Sequence, residues 1–163
     1  MFTGIIQAVG EVAALEQSGG DLKLRIKTGK LPLADVKLGD SIATNGVCLT
    51  VTELPGDGYW ADVSNETLSL TSLKQISIGS SPVNLEKSLT PTTALGGHLV
   101  SGHVDGLGMV VALSRDARSW RVSIEAPADL ARYIAPKGSI CVDGTSLTVN
   151  SVSGARFELN IIP

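Results

Sequence analysis

Aromatic side chains are scarce in this chain of 163 residues: two Phe, two Trp and two Tyr make up 4% of it. A surface that stacks nucleic-acid bases needs more of them. Thirteen Lys and Arg stand against sixteen Asp and Glu, a net charge of -3, so the electrostatic footprint for a phosphate backbone is also missing. Cysteine is nearly absent, and Cys48 and Cys141 are poor material for a disulfide framework or a zinc site. The only two histidines, His98 and His103, stand five apart and form no recognisable metal-ligand set. The start, Met1-Phe2-Thr3-Gly4-Ile5-Ile6, has no basic region, and no apolar run is long enough for a signal peptide or membrane span. The expected location is cytoplasmic.

Glycine is abundant, with 18 residues, and the sequence repeats itself. Ser41-Ile42-Ala43-Thr44-Asn45-Gly46-Val47-Cys48-Leu49-Thr50-Val51 returns as Ser139-Ile140-Cys141-Val142-Asp143-Gly144-Thr145-Ser146-Leu147-Thr148-Val149, a shift of 98 residues. The same shift pairs Phe2-Thr3-Gly4-Ile5-Ile6 with Val100-Ser101-Gly102-His103-Val104, and Leu22–Ile26 with Trp120–Ile124. A constant offset over separate segments means two copies of one domain. Within the first copy, short β-branched segments recur between Gly, Pro and Asp: Gly4–Val12, Leu22–Thr28, Asp40–Ala43, Cys48–Glu53, Tyr59–Val63 and Pro82–Glu86. Six short strands with many glycines predict a small closed antiparallel barrel, which leaves no free edge. Short helical turns are expected at Leu31–Val36, at its counterpart Asp129–Ile134, and at Thr67–Leu73. The expected organisation is a first barrel over 1–89, a linker and second-repeat entrance over 90–97, and a second barrel over 98–163. The second repeat ends where the first has its fifth strand, so its sixth strand is expected to be absent from this sequence.

The copies differ in chemistry: Cys48 stands opposite Ser146, and Ile5 opposite His103. Strand alternation puts Cys48 and Thr50 on one face, and Ser146 and Thr148 on the matching one. Histidine is the side chain best suited to moving protons near neutral pH. Gly4-Ile5-Ile6 and Gly102-His103-Val104 offer backbone that a flat ring can approach closely. Asp143, opposite Asn45, is expected to brace a turn rather than do acid-base work.

Taken with the amino-terminal Met1-Phe2-Thr3-Gly4-Ile5 and Gly96-Gly97-His98-Leu99-Val100-Ser101-Gly102-His103-Val104, the two repeated strand motifs make the whole chain resemble the riboflavin synthase family. The resemblance implies two tandem homologous six-stranded Greek-key barrels with short helices, the second incomplete here. It implies a cofactor-free transferase that dismutates two molecules of 6,7-dimethyl-8-ribityllumazine to riboflavin and 5-amino-6-ribitylamino-2,4-pyrimidinedione. It also implies a homotrimer tied together by residues beyond Pro163, active sites between barrels of neighbouring chains, and an association with lumazine synthase. In the family pattern Cys48, His103, Ser146 and Thr148 are the catalytic group, and His98 supports them. Ring contacts fall to Gly4, Ile5, Ile6, Leu49, Thr50, Gly102, Val104 and Leu147. The ribityl chain falls to Asp62, Val63, Ser64, Asn65, Glu66 and Thr67, and in the second repeat to Asn160, Ile161, Ile162 and Pro163. Lys137 makes a contact across a subunit boundary. The alternative is an antenna-type lumazine- or flavin-binding protein of the same fold without catalysis. Such relatives tend to lose the cysteine and histidine signature that this chain retains.

Overall fold

The computed structural model of the chain describes residues 1–162 except 77 and 80. Its elements are almost all strands. The first, β1 (Ala8–Ser18), turns at Gly19-Gly20 into β2 (Asp21–Lys27), and both turn glycines have positive φ, the conformation a tight hairpin demands. Then come β3 (Ser41–Thr44), β4 (Val47–Glu53), β5 (Gly58–Val63), the short α1 (Asn65–Leu70) and β6 (Pro82–Lys87). These six strands close into an antiparallel barrel in the order β1-β2-β5-β4-β3-β6. Period-two alternation fills it: Leu24 and Ile26, Leu49 and Val51, Tyr59, Ala61 and Val63, and Val83 and Leu85 all point inward and are buried. The Tyr59 hydroxyl shares a hydrogen bond with Thr44 Oγ1 inside, and burial pushes its pKa above the ordinary tyrosine value.

The second half holds β7 (Met109–Asp116), β8 (Ser119–Glu125), β9 (Ser139–Val142), β10 (Thr145–Ser153) and β11 (Arg156–Ile161). They form a five-stranded sheet in the order β7-β8-β11-β10-β9. The irregularities repeat along with the sequence. A bulge between Val12 and Ala14 recurs between Val110 and Ala112, and one between Val51 and Glu53 recurs between Val149 and Ser151. The β2–β5 pairing from Leu22 with Val63 recurs as Trp120 with Ile161. A smaller core is formed by Val122, Ile124, Val149, Phe157 and Leu159.

Some expectations shift. The first strand starts at Ala8 instead of Gly4, because Phe2–Ile5 leave the barrel to bridge the two halves. Leu31–Val36 forms turns, with Val36 N–H donating to Leu33 C=O, and Asp129–Ile134 contains only a 3-10 turn at Ala131–Tyr133. The third helical segment becomes α1 plus a 3-10 turn at Ser72–Gln75.

Candidate functional site

Each half supplies its entrance segment to the other half. Cys48 N–H, at the start of β4, donates to Gly102 C=O at 2.8 Å, and Ser146 N–H, at the start of β10, donates to Gly4 C=O at 2.7 Å. Between these crossings Phe2 and Val100 form a reciprocal antiparallel bridge. The glycines are obligatory here. A Cβ on Gly102 would stand 2.7 Å from Cys48 Cβ, one on Gly4 would stand 2.6 Å from Ser146 Cβ, and both residues have positive φ. Val104 packs against the barrel core, and Ile6 Cδ1 lies 3.3 Å from where a Cβ of Gly144 would be. Two stations of like geometry result, one at Cys48 and one at Ser146, and each needs both halves.

At the first station Leu49 and Val51 face the barrel interior while Cys48 and Thr50 face outward. Cys48 and Cys141, both half-buried, pack against Phe2, Ala43 and Val100, an apolar seam between the halves. Burial raises the Cys141 thiol pKa. At the second station His98 Nδ1 and Ser146 Oγ are hydrogen-bonded to one another at 2.6 Å, and His98 N–H donates to Thr3 C=O at 3.0 Å. Nothing in the sequence signalled this pair, whose members are 48 residues apart. His103 does not lie on a strand; it sits exposed in the segment before β7, its N–H donating to Ser101 Oγ at 3.1 Å.

A cavity of about 880 Å³ lies between the halves, lined by 98–108, by 138–144, by Ile124, Val149 and Phe157 of the second core, and on the first half's side by Asn45, Gly46, Thr71, Ser72 and Gln75. It collects His98, Gly102, His103, Val104 and Asp143 from the expected set. Cys48, Ser146 and Gly4 lie at the crossings and, like Thr50 and Thr148, do not line it. Leu49 and Val63 are barrel core, so only their backbone can meet a ligand. The polar cluster from Asp62 is the start of α1: Ser64 Oγ accepts from Thr67 N–H at 3.2 Å, and Asn65 Nδ2 donates to Gly20 C=O at 2.7 Å. Asp62 and Glu66 remain exposed. In the second half Leu147 is half-buried in the core, Ile161 and Ile162 are exposed, and Asn160 Oδ1 is buried without a partner among the described residues. Pro163 lies outside the described residues. No cluster of His, Cys, Asp and Glu able to hold a metal occurs among those residues.

Asp143 lies in the turn between β9 and β10. Its φ of 45° matches the 48° of Asn45, and Ser72 Oγ donates to its carboxylate at 3.4 Å. Burial between the halves raises its pKa. Lys137 also has positive φ, 66°, at the position where the first half has Gly39 at 88°.

Comparison with known proteins fits this geometry. The family described as "Lumazine binding domain" matches residues 3–88 and 101–163, two stretches whose starts are separated by the internal shift. Riboflavin synthase of Photobacterium phosphoreum is 49% identical over 163 residues, which is all of this chain and 74% of that protein. Riboflavin synthase of Mycobacterium bovis is 46% identical over 167 residues, covering all of this chain and 82% of that protein. Among solved structures, LumP complexed with riboflavin superposes with a TM-score of 0.87 at 25% identity, over 98% of this chain and 86% of that one.

Proposed function

The chain belongs to the riboflavin synthase family of lumazine-binding-domain proteins, and on that footing we propose that it is a transferase acting on two molecules of 6,7-dimethyl-8-ribityllumazine. One molecule gives a four-carbon unit to the other, yielding riboflavin and 5-amino-6-ribitylamino-2,4-pyrimidinedione. The atoms of the substrates equal those of the products, so no external oxidant enters. The observation that carries the reading is the pair of reciprocal crossings, Gly102 over Cys48 and Gly4 over Ser146. Two like substrates call for two like stations. Holding both removes much of the entropic barrier to a bimolecular step, worth roughly 7–11 kcal/mol in well-oriented cases.

The stations differ in the chemistry they offer. Cys48 supplies a nucleophile or proton carrier at one ring. Ser146, tied to His98, moves a proton at the other, and His103 on the cavity wall is a second proton carrier. Thr50 and Thr148 present outward hydroxyls to ring edges. The ribityl chains take their hydrogen bonds from the α1 entrance in the first half, and from the region of Asn160 in the second. Gly4–Ile6, Gly102 and Val104 offer close backbone. The halves are read as homologous Greek-key barrels, 1–89 and 98–163 joined through 90–97, the second one strand short of closure. A cytoplasmic homotrimer in which Lys137 reaches a neighbouring subunit, and contact with lumazine synthase, complete the proposal.

The test is incubation with 6,7-dimethyl-8-ribityllumazine, following riboflavin by absorbance with mass recorded by light scattering. Wild-type chain should form riboflavin, while Cys48→Ala and Ser146→Ala should fall by about 10²-fold or more in kcat. Tight binding without product in the wild-type chain would replace this reading with the antenna-type one, for which the likeness to LumP in its riboflavin complex speaks.

A further inference from the structure

Among the described residues Glu86 is the only buried carboxylate, at 3% exposed. Its neighbours on β6, Val83 and Leu85, point into the barrel, so alternation turns Glu86 to the outer face, where a side chain would ordinarily meet solvent. The entrance segment covers it. No cation among the described residues forms an ion pair with it. A carboxylate buried without a cation is costly to keep and has to be satisfied by hydrogen-bond donors. Three donors meet it. Glu86 Oε1 accepts from Thr3 N–H at 2.7 Å and from Thr3 Oγ1 at 2.6 Å, and Oε2 accepts from Gly4 N–H at 2.9 Å. Ile5 N–H donates to Thr3 Oγ1 at 3.1 Å, which fixes the hydroxyl in place.

The two residues that Glu86 grips by their amides turn their carbonyls to the second half. His98 N–H donates to Thr3 C=O at 3.0 Å, and Ser146 N–H donates to Gly4 C=O at 2.7 Å. His98 and Ser146 are the pair whose side chains are hydrogen-bonded at 2.6 Å. A single carboxylate of β6 therefore reaches both members of that pair, His98 through Thr3 and Ser146 through Gly4. The packing leaves no slack. A Cβ on Gly97 would stand 2.0 Å from the carbonyl oxygen of Thr3 and 3.1 Å from Ser146 Cβ, and one on Gly4 would stand 2.8 Å from Ser146 N. A shift of Thr3 and Gly4 is then passed on to His98 and Ser146, because neither close contact has room to absorb it.

We infer that Glu86 is a positioning residue for the second station: its carboxylate fixes Thr3 and Gly4 so that their carbonyls hold His98 against Ser146. Glu86 acts through these residues, from inside the first half, on a proton-moving pair in the second. Its consequence for rate rests on the proposed transfer between two lumazines, whereas its consequence for the geometry of the pair does not. Proton transfer needs the two side chains aligned with the ring, and a misplacement of about 1 Å can cost on the order of 10²-fold.

The test compares wild-type chain with Glu86→Gln, Ser146→Ala and the double variant, by riboflavin formation and by the amide spectrum of ¹⁵N-labelled protein, where the β2, β4 and β5 signals show the barrel folded. Glu86→Gln should lower kcat by about tenfold or more with KM for 6,7-dimethyl-8-ribityllumazine little changed. The amide protons of His98 and Ser146 should move upfield as their hydrogen bonds weaken, while that of Cys48, bonded to Gly102 C=O, stays in place. Residues acting as one unit do not have multiplying effects, so the double variant should match Ser146→Ala within roughly twofold. Thr3→Val removes one of the three donors with little change of shape. It should move the same two amides by a smaller amount, and it decides the matter if Glu86→Gln does not fold. A wild-type kcat in folded Glu86→Gln, losses that multiply in the double variant, His98 and Ser146 amides that stay put, or a Cys48 amide that moves as far would each overturn the inference. Wild-type chain that binds the lumazine and forms no riboflavin would overturn the proposed reaction instead, and the amide shifts alone would then judge Glu86.

Discussion

Lys137 holds a left-handed backbone that glycine adopts freely and that costs a side-chain-bearing residue about 1–2 kcal/mol. Its N–H still donates to Val149 C=O at 2.7 Å, as Gly39 N–H donates to Val51 C=O at 2.9 Å, so the turn is the same and the lysine is the strained version. Lys137→Gly should therefore raise stability by about 1 kcal/mol in urea unfolding and, if the amine serves the reaction, lower riboflavin production at the same time. A stability gain without loss of activity would strip Lys137 of its proposed role. Asp143 tests a different force. Burial sets its folded pKa above the ordinary carboxylate value, so the folded state holds the proton more tightly. Stability then falls as pH rises from the unfolded value of 3.8 through the folded one, and the penalty stays in place above it. Asp143→Asn, which copies Asn45, should raise the melting temperature at pH 7 by roughly 1–2 °C, a figure discounted for the exposed edge of the side chain. The gain should shrink when melting is repeated near pH 3.5. The motif residues themselves were legible in the sequence because the two copies can be compared position by position. The tie between His98 and Ser146 was not, since a hydrogen bond between residues this far apart leaves no periodic trace.

Among the elements β6 carries the most, joining β1 to β3 and fixing the amino-terminal crossing through Glu86. Glu86→Gln keeps the shape but turns an NH₂ toward a donor amide. It should destabilise the chain by about 1.5–3 kcal/mol, and the amide signals of Thr3 and Gly4 should lose protection from exchange before the rest of the barrel does. Protection that stays uniform would mean the carboxylate is not what holds the crossing. Strands β2 to β6 were readable from alternation and turn residues, with ends within a residue or two. The start of β1 was not. Gly4-Ile5-Ile6 has the apolar character of a strand, and only the reciprocal bridge with Val100 shows why it leaves the barrel. Leu31–Val36 fails as a helix for a local reason: Pro32 and the short spacing between turns leave no room to propagate one.

At the scale of the molecule the halves are alike in register and unequal in closure. Among the described residues the barrel buries fourteen in its main cluster and the five-stranded sheet five. Amide exchange should therefore be slowest in β2, β4 and β5 and markedly faster in β7 and β9, whose outer backbone groups face solvent. Calorimetry with 6,7-dimethyl-8-ribityllumazine should likewise resolve two unequal sites per chain, and two equal ones would refute the asymmetry. The sequence by itself determined the duplication, the all-β class, the strand rhythm and the candidate chemical groups. All of these are written in local order, in side-chain period and in the constant shift between copies. The tertiary structure alone decided that each copy's entrance segment crosses to the other, that Cys48 faces out of the barrel into a seam, and that His98 and Ser146 meet. Those features depend on contacts between residues far apart in the chain, where packing and unmet backbone hydrogen bonds settle the arrangement and local sequence is silent.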